Sequence, residues 1–200
     1  MAISITTPTK TQGAALLALQ SIAASSQIVG AEVDVSGKFA GTVFIHFGRT
    51  STTAPTAGVI FRIEAADKAS GGNHWYPLTS VVSNITVAVG PTNSSTSGAV
   101  QNVSAATGLA AQDIVVIAPT TVANSEWARI KSISGNAITM EETIAGSHST
   151  GNLYNKAEMY AIPLDLSAIG RLRVVADGLA HNQSFICEAF LNTLDSVSST

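Results

Sequence analysis

Apolar and polar residues alternate with a period of two along much of the chain. In FAGTVFIHFG (39–48), Val43, Ile45 and Phe47 fall on one face and Phe44 and His46 on the other. In AGVIFRIEAA (57–66), Phe61, Ile63 and Ala65 oppose Arg62 and Glu64. Such alternation is the signature of a strand with one buried and one partly wet face. IVGAEVDV (28–35) and HWYPLTSVV (74–82) are similarly rich in β-branched and aromatic residues, and Gly, Pro, Ser or Asn bounds each run. Residues 28–82 therefore predict a β meander. The departure is GAALLALQSIAASS (Gly13–Ser26), whose apolar spacing predicts a short N-terminal helix. A secretory leader is a weaker reading of that run, because Lys10 is the only basic residue ahead of it and the preceding residues are mostly polar.

Near residue 84 the texture changes to NITVAVGPTNSSTSGAV, dense in Gly, Pro, Ser, Thr and Asn, which marks a domain boundary. DIVVIA (113–118), EWARIKSIS (126–134) and AITMEETI (137–144) follow as strands, with Gly135-Asn136 as a tight hairpin turn. From about Ala157 the first texture returns in AEMYAIPLDL, GRLRVVAD and SFICEAFLNTL. In the second of these Leu172, Val174 and Ala176 alternate with Arg171, Arg173, Val175 and Asp177. These late strands need partners, and the economical solution pairs them with residues 28–82. The expected fold is all-β: an antiparallel β-sandwich with jelly-roll or immunoglobulin-like connectivity, formed by residues 1–85 and 156–200. Residues 86–155 would be an inserted small β-barrel.

Composition changes the picture in one respect. Only 12% of the residues are charged, against about 25% in a typical soluble domain, and the mean hydropathy is +0.31. A surface this neutral associates readily and suits a protein covered by neighbours in an assembly. The net charge of −3, with Lys and Arg scattered, gives no footprint for nucleic acid. No apolar run approaches the roughly 20 residues of a membrane-spanning helix. Cys187, the single cysteine, lies in the alternating run SFICEAFL and reads as a buried thiol.

Candidate chemistry is sparse. In FRIEAADKASGGNHWYPL (61–78), Asp67, Ser70 and His74 sit close in sequence, yet the strained G-x-S-x-G elbow of a serine hydrolase is missing and Ser70-Gly71-Gly72-Asn73 has the residues of a hairpin loop. His46, His74, His148 and His181 lie far apart, and no spacing suits a zinc site. Glu141 and Glu142 adjoin on a strand and point to opposite faces. Phosphate-cradling glycine motifs are missing too. Four N-x-[ST] triplets, at Asn84, Asn93, Asn102 and Asn182, are what a Ser- and Thr-rich chain produces by chance. We expect no catalytic residue, no cofactor and no metal. Trp75 and Tyr76 adjoin on a strand, so one packs and the other faces outward, while Arg171 and Arg173 share a strand face. These four, with Trp127, are the candidate interface residues. A sugar platform would need exposed aromatics among Trp75, Tyr76, Trp127 and Tyr154.

EVDVSGKFAGTVFIHFGR (32–49), GVIFRIEAADKASGGNHWYPL (58–78), PLDLSAIGRLRVVADG (163–178) and EAFLNTLDS (188–196) together resemble a family of small virion proteins of tailed bacteriophages. TGLAAQDIVVIA, SEWARIKSISGNAIT and the HSTGNLY stretch resemble a small β-barrel module that recurs inside phage structural proteins. The resemblance implies a virion component and no enzyme, and it carries over no functional residue, since such proteins work through whole surfaces. The leading expectation is a capsid decoration or cement protein bound to the outside of the major capsid protein shell. A neck, tail or fibre-attachment protein is the alternative, and a glycan-binding host-attachment module the third. The expected partners are the major capsid protein or other virion proteins and further copies of the chain, with a trimer the favoured homo-oligomer. The expected setting is the virion, assembled in the bacterial host cytoplasm.

Overall fold

The computed structural model describes residues 10–49, 55–71, 74–83, 98–118, 122–145, 153–182 and 185–195. They form strands β1 (Lys10–Ile22), β2 (Gln27–Val29), β3 (Val33–Asp34), β4 (Lys38–Arg49), β5 (Val59–Ala66), β6 (Tyr76–Ser83), β7 (Gly98–Asn102), β8 (Ile114–Ala118), β9 (Glu126–Ser134), β10 (Ala137–Ile144), β11 (Leu153–Asp165), β12 (Arg171–Gly178) and β13 (Phe185–Asp195). A 3-10 turn, Val122–Asn124, precedes β9. All pairings are antiparallel. One eight-stranded sheet runs β1-β13-β4-β11-β8-β9-β10-β7, and a five-stranded sheet runs β2-β12-β5-β6, with β3 also on β12.

The predicted N-terminal helix is not there: residues 10–22 are strand β1, paired along β13. Register shifts at Thr11/Ala14, Ala15/Leu17 and Leu17/Gln20 interrupt the pairing, and Gly13 takes φ of 80°. A bulge lets consecutive residues turn to one face, so Leu16 and Leu17 are both buried. The bulges break the period of two and mimic helical spacing. Run 28–35 is likewise not one strand, because β2 and β3 are separated at Gly30. The Gly135-Asn136 turn is as expected, with Ser134 opposite Ala137 and Gly135 at φ 57°, a value glycine adopts without strain.

The inner faces of both sheets supply the main core. Val43, Ile45 and Phe47 of β4 meet Phe61 and Ile63 of β5, Leu172 and Val174 of β12, and Phe185, Cys187 and Leu191 of β13. Phe47 stacks on Phe185 at 4.8 Å and meets Phe61 edge-on at 5.7 Å. Each such side chain stabilises by roughly 1.5–3 kcal/mol on burial. The Cys187 thiol lies inside this core, as read from its run, and burial pushes its pKa up to about 12. A second apolar cluster joins Val103, Val115, Ile117, Ile130, Ile138 and Met140. Strand β11 serves both regions: Leu153–Lys156 pair with β8 and Ala157–Asp165 with β4.

Candidate functional site

Three of the five candidate interface residues meet on the five-stranded sheet. Arg171 and Arg173 project from β12 on the side opposite the buried Leu172 and Val174. Glu64 stands directly across from Arg173 on β5 and accepts hydrogen bonds from its Nε at 2.9 Å and Nη2 at 2.8 Å. The Trp75 ring lies beneath both guanidiniums, whose carbons are 4.1 Å (Arg173) and 5.1 Å (Arg171) from its centroid. Arg171 also donates to the carbonyls of Lys68, at 3.0 Å, and Gly71, at 2.8 Å, and pairs with Glu32.

This clasp answers the question of the Asp67–His74 loop. Arg171 ties the loop down by its carbonyls, and Gly170 packs so tightly that a Cβ there would come within 2.2 Å of the Lys68 carbonyl carbon. Asp67, Ser70 and His74 are all exposed, and no hydrogen bond joins them among the described residues. The arginines are satisfied within the chain, which makes them positioning groups for the start of β6.

Tyr76 lies just beyond the clasp, 57% exposed. It opens β6, an edge strand with a single hydrogen-bonded neighbour, β5, among the described residues. Its sequence YPLTSVVS carries no charge, and Tyr76, Leu78 and Val82 are all exposed. The other sheet edges are blunted. β1 is bulged, β2 and β3 are three and two residues long, and β7 has five residues and a register shift. Natural sheets protect their edges in these ways because a bare edge is a template for another strand. On β6 only Pro77 and a register shift at Ile63/Glu64 interrupt the edge, both near its start.

Trp127 belongs to the other sheet. Its Nε1 donates to the Phe47 carbonyl at 3.2 Å, and its ring packs near Val116 and Ile186. It begins a row of rings that sequence reasoning missed: Trp127 to His46 at 5.4 Å, His46 to Phe190 at 5.3 Å and Phe190 to Phe44 at 5.2 Å. His46 Nδ1 is 2.8 Å from Glu188 Oε1, its cross-strand neighbour. The signal was present, since Phe44 and His46 stand on the non-core face of an alternating strand. Nearby, an open hollow of about 550 Å³ is lined by Phe39, Gly41, Thr42, Pro163, Leu164 and Asn192 among others. The side chain of Tyr154, and His148, Asn84 and Asn93, lie outside the described residues. Glu141 and Glu142 are both exposed. Among the described residues no group of three His, Cys, Asp or Glu is placed to hold a metal ion, and no helix is long and apolar enough to cross a membrane.

Compared with known protein families, curated proteins and solved structures, the chain matches none. The described residues thus combine a clasped loop and an open uncharged strand edge in a chain of low charge.

Proposed function

We propose that this chain is a structural protein of a tailed-bacteriophage virion, a decoration or cement protein that seats on the outer surface of the major capsid shell and bridges neighbouring subunits. The observation that carries the reading is β6, an eight-residue edge without charge and with Tyr76, Leu78 and Val82 exposed. Such an edge offers its backbone donors and acceptors to an extended strand of a neighbour, while the alternate side chains fill adjoining apolar hollows. In this reading the five-stranded sheet and strands β1, β13, β4 and β11 of the other form a β-sandwich built from residues 1–85 and 156–200, and β7 to β10 form the small barrel inserted at 86–155. Copies associate as a symmetric homo-oligomer, a trimer. Many modest contacts repeated over a symmetric lattice then resist the outward pressure of packaged DNA.

Cryo-electron microscopy of gradient-purified particles tests this directly. The expected result is repeating density over the head shell with β6 turned to the shell or to a neighbouring copy. Density confined to the neck or tail would reassign the protein to a connector or fibre-attachment role, and absence from the particle would end the reading.

A further inference from the structure

Where β4 ends, three polar side chains are shut away from solvent. Arg49 and Asn155 have no exposed surface, and His181 has 5%. Phe185 is the cross-strand neighbour of Arg49, so the two side chains share a face, and the His181 ring meets Phe185 edge-on at 4.7 Å. Asn155 Nδ2 donates to the Arg49 main-chain carbonyl at 3.0 Å, while its own cross-strand neighbour, Val116, packs with Ile186 on the opposite face. Nε, Nη1 and Nη2 of Arg49, Oδ1 of Asn155 and both ring nitrogens of His181 have no hydrogen-bond partner among the described residues. The other four arginines of the chain all have carboxylate partners: Arg62 with Asp177, Arg129 with Glu141, Arg171 with Glu32 and Arg173 with Glu64.

Burial lowers the Arg49 pKa, but a guanidinium titrates so far above neutrality that it stays charged. A buried, uncompensated charge carries a penalty large enough to consume much of a domain's net stability. Water could fill the hydrogen bonds but would leave the charge unneutralised. A carboxylate from a partner would need an opening, and Arg49 has none. A small ion captured during folding meets both demands, and the planar fork of Nε and Nη donors suits an oxyanion in particular. We propose that Arg49 anchors an enclosed site for a small inorganic anion, phosphate or chloride, on the face of the sheet that it shares with Phe185 and His181.

The test starts with protein refolded from denaturant into a buffer whose only anion is a bulky organic sulfonate, then melted with added sodium phosphate or sodium chloride. The wild-type Tm should rise saturably, by about 5–10 °C at a hundred times the dissociation constant. Arg49→Met, which keeps the volume and removes the charge, should not respond and should be at least as stable as wild type without the anion. An equal rise in both proteins would reveal a general salt effect and overturn the site. If Arg49→Met does not fold, ion chromatography decides on the native protein. About one equivalent of inorganic anion released per chain on denaturing desalted wild type supports the site, and anion-free protein with a flat melting response overturns it.

Discussion

The two edges of the five-stranded sheet are built on opposite plans. On one side, β2 and β3 together flank β12, but the chain between them turns away. The Gly30 amide still reaches the Val174 carbonyl on β12 at 2.9 Å, whereas the Ala31 amide reaches the Leu16 carbonyl on β1 at 2.8 Å. One residue thus serves each sheet, and the edge is stitched to the facing sheet. On the other side β6 is bonded to β5 and exposed beyond it. The stitched edge uses its backbone groups internally and so contributes stability. The open edge has no second strand among the described residues to take them up, which is what recognition of another strand requires.

The stitched edge should be the easier to break. A Cβ on Gly30 would come within 1.9 Å of the Leu16 carbonyl oxygen, a backbone atom that cannot swing aside. Gly30→Ala should therefore destabilise by about 3 kcal/mol and lower Tm by roughly 6–12 °C. A thermal melt within 1 °C of wild type would show that the detour at Gly30 does not close that side.

The next effect concerns how the open edge is held. Arg173→Ala removes two hydrogen bonds to Glu64, which is 13% exposed, and the stacking on Trp75. The expected loss is about 2 kcal/mol, and Arg173→Lys should recover only part of it because a single ammonium cannot reproduce the planar fork. In a Trp127→Phe background, emission from Trp75 should shift to the red as its ring becomes wetter. Unchanged emission would mean that Trp75 is seated by something other than the clasp. On β6 itself, Ser80→Lys with Val82→Lys should change stability by less than about 0.5 kcal/mol per site, yet charge the edge against pairing. Co-sedimentation with capsid particles lacking the protein should drop to background, and undiminished binding would remove β6 from the proposed interface.

These differences explain which features could be seen in the chain beforehand. Strands 39–48, 126–134 and 137–144 were legible because alternation and a Gly-Asn turn are local, and the structure places them within a residue or two of those bounds. β1 was not, since its bulges arise from fitting Leu16, Leu17 and Ile22 into one core against β13. The break at Gly30 depends on Leu16, fourteen positions earlier in sequence numbering, approaching through the fold. Arg171 and Arg173 stood out as a pair on one strand face and Trp75 by itself, but their meeting required β12 to pair with β5 in one register. Arg49 follows the apolar run 39–48, and nothing in its sequence neighbourhood singles it out. Only the tertiary structure shows it buried.

The smallest predicted effect lies beside the stitched edge, where β3 gives way to the turn into β4. Ser36 donates to Asp34 Oδ1 from its hydroxyl at 2.6 Å and its amide at 2.8 Å, and these bonds, the hydroxyl's first, hold the Asp34 pKa below the usual carboxylate range. A carboxylate whose folded pKa is depressed contributes stability above its unfolded value, and that contribution fades as pH falls through the folded one. Ser36→Ala keeps the amide bond and removes the stronger, so the Asp34 pKa should rise toward the ordinary value without returning fully to it. Asp165 holds Ser167 by the same pair of bonds at the end of β11 and supplies an internal control. A carboxyl-detected NMR titration in which Asp34 moves and Asp165 does not would confirm that the turn is set locally. Movement of both would mean that the substitution had loosened β3 and β11 together, and that the closed side of the five-stranded sheet is less independent of the eight-stranded sheet than its hydrogen bonds imply.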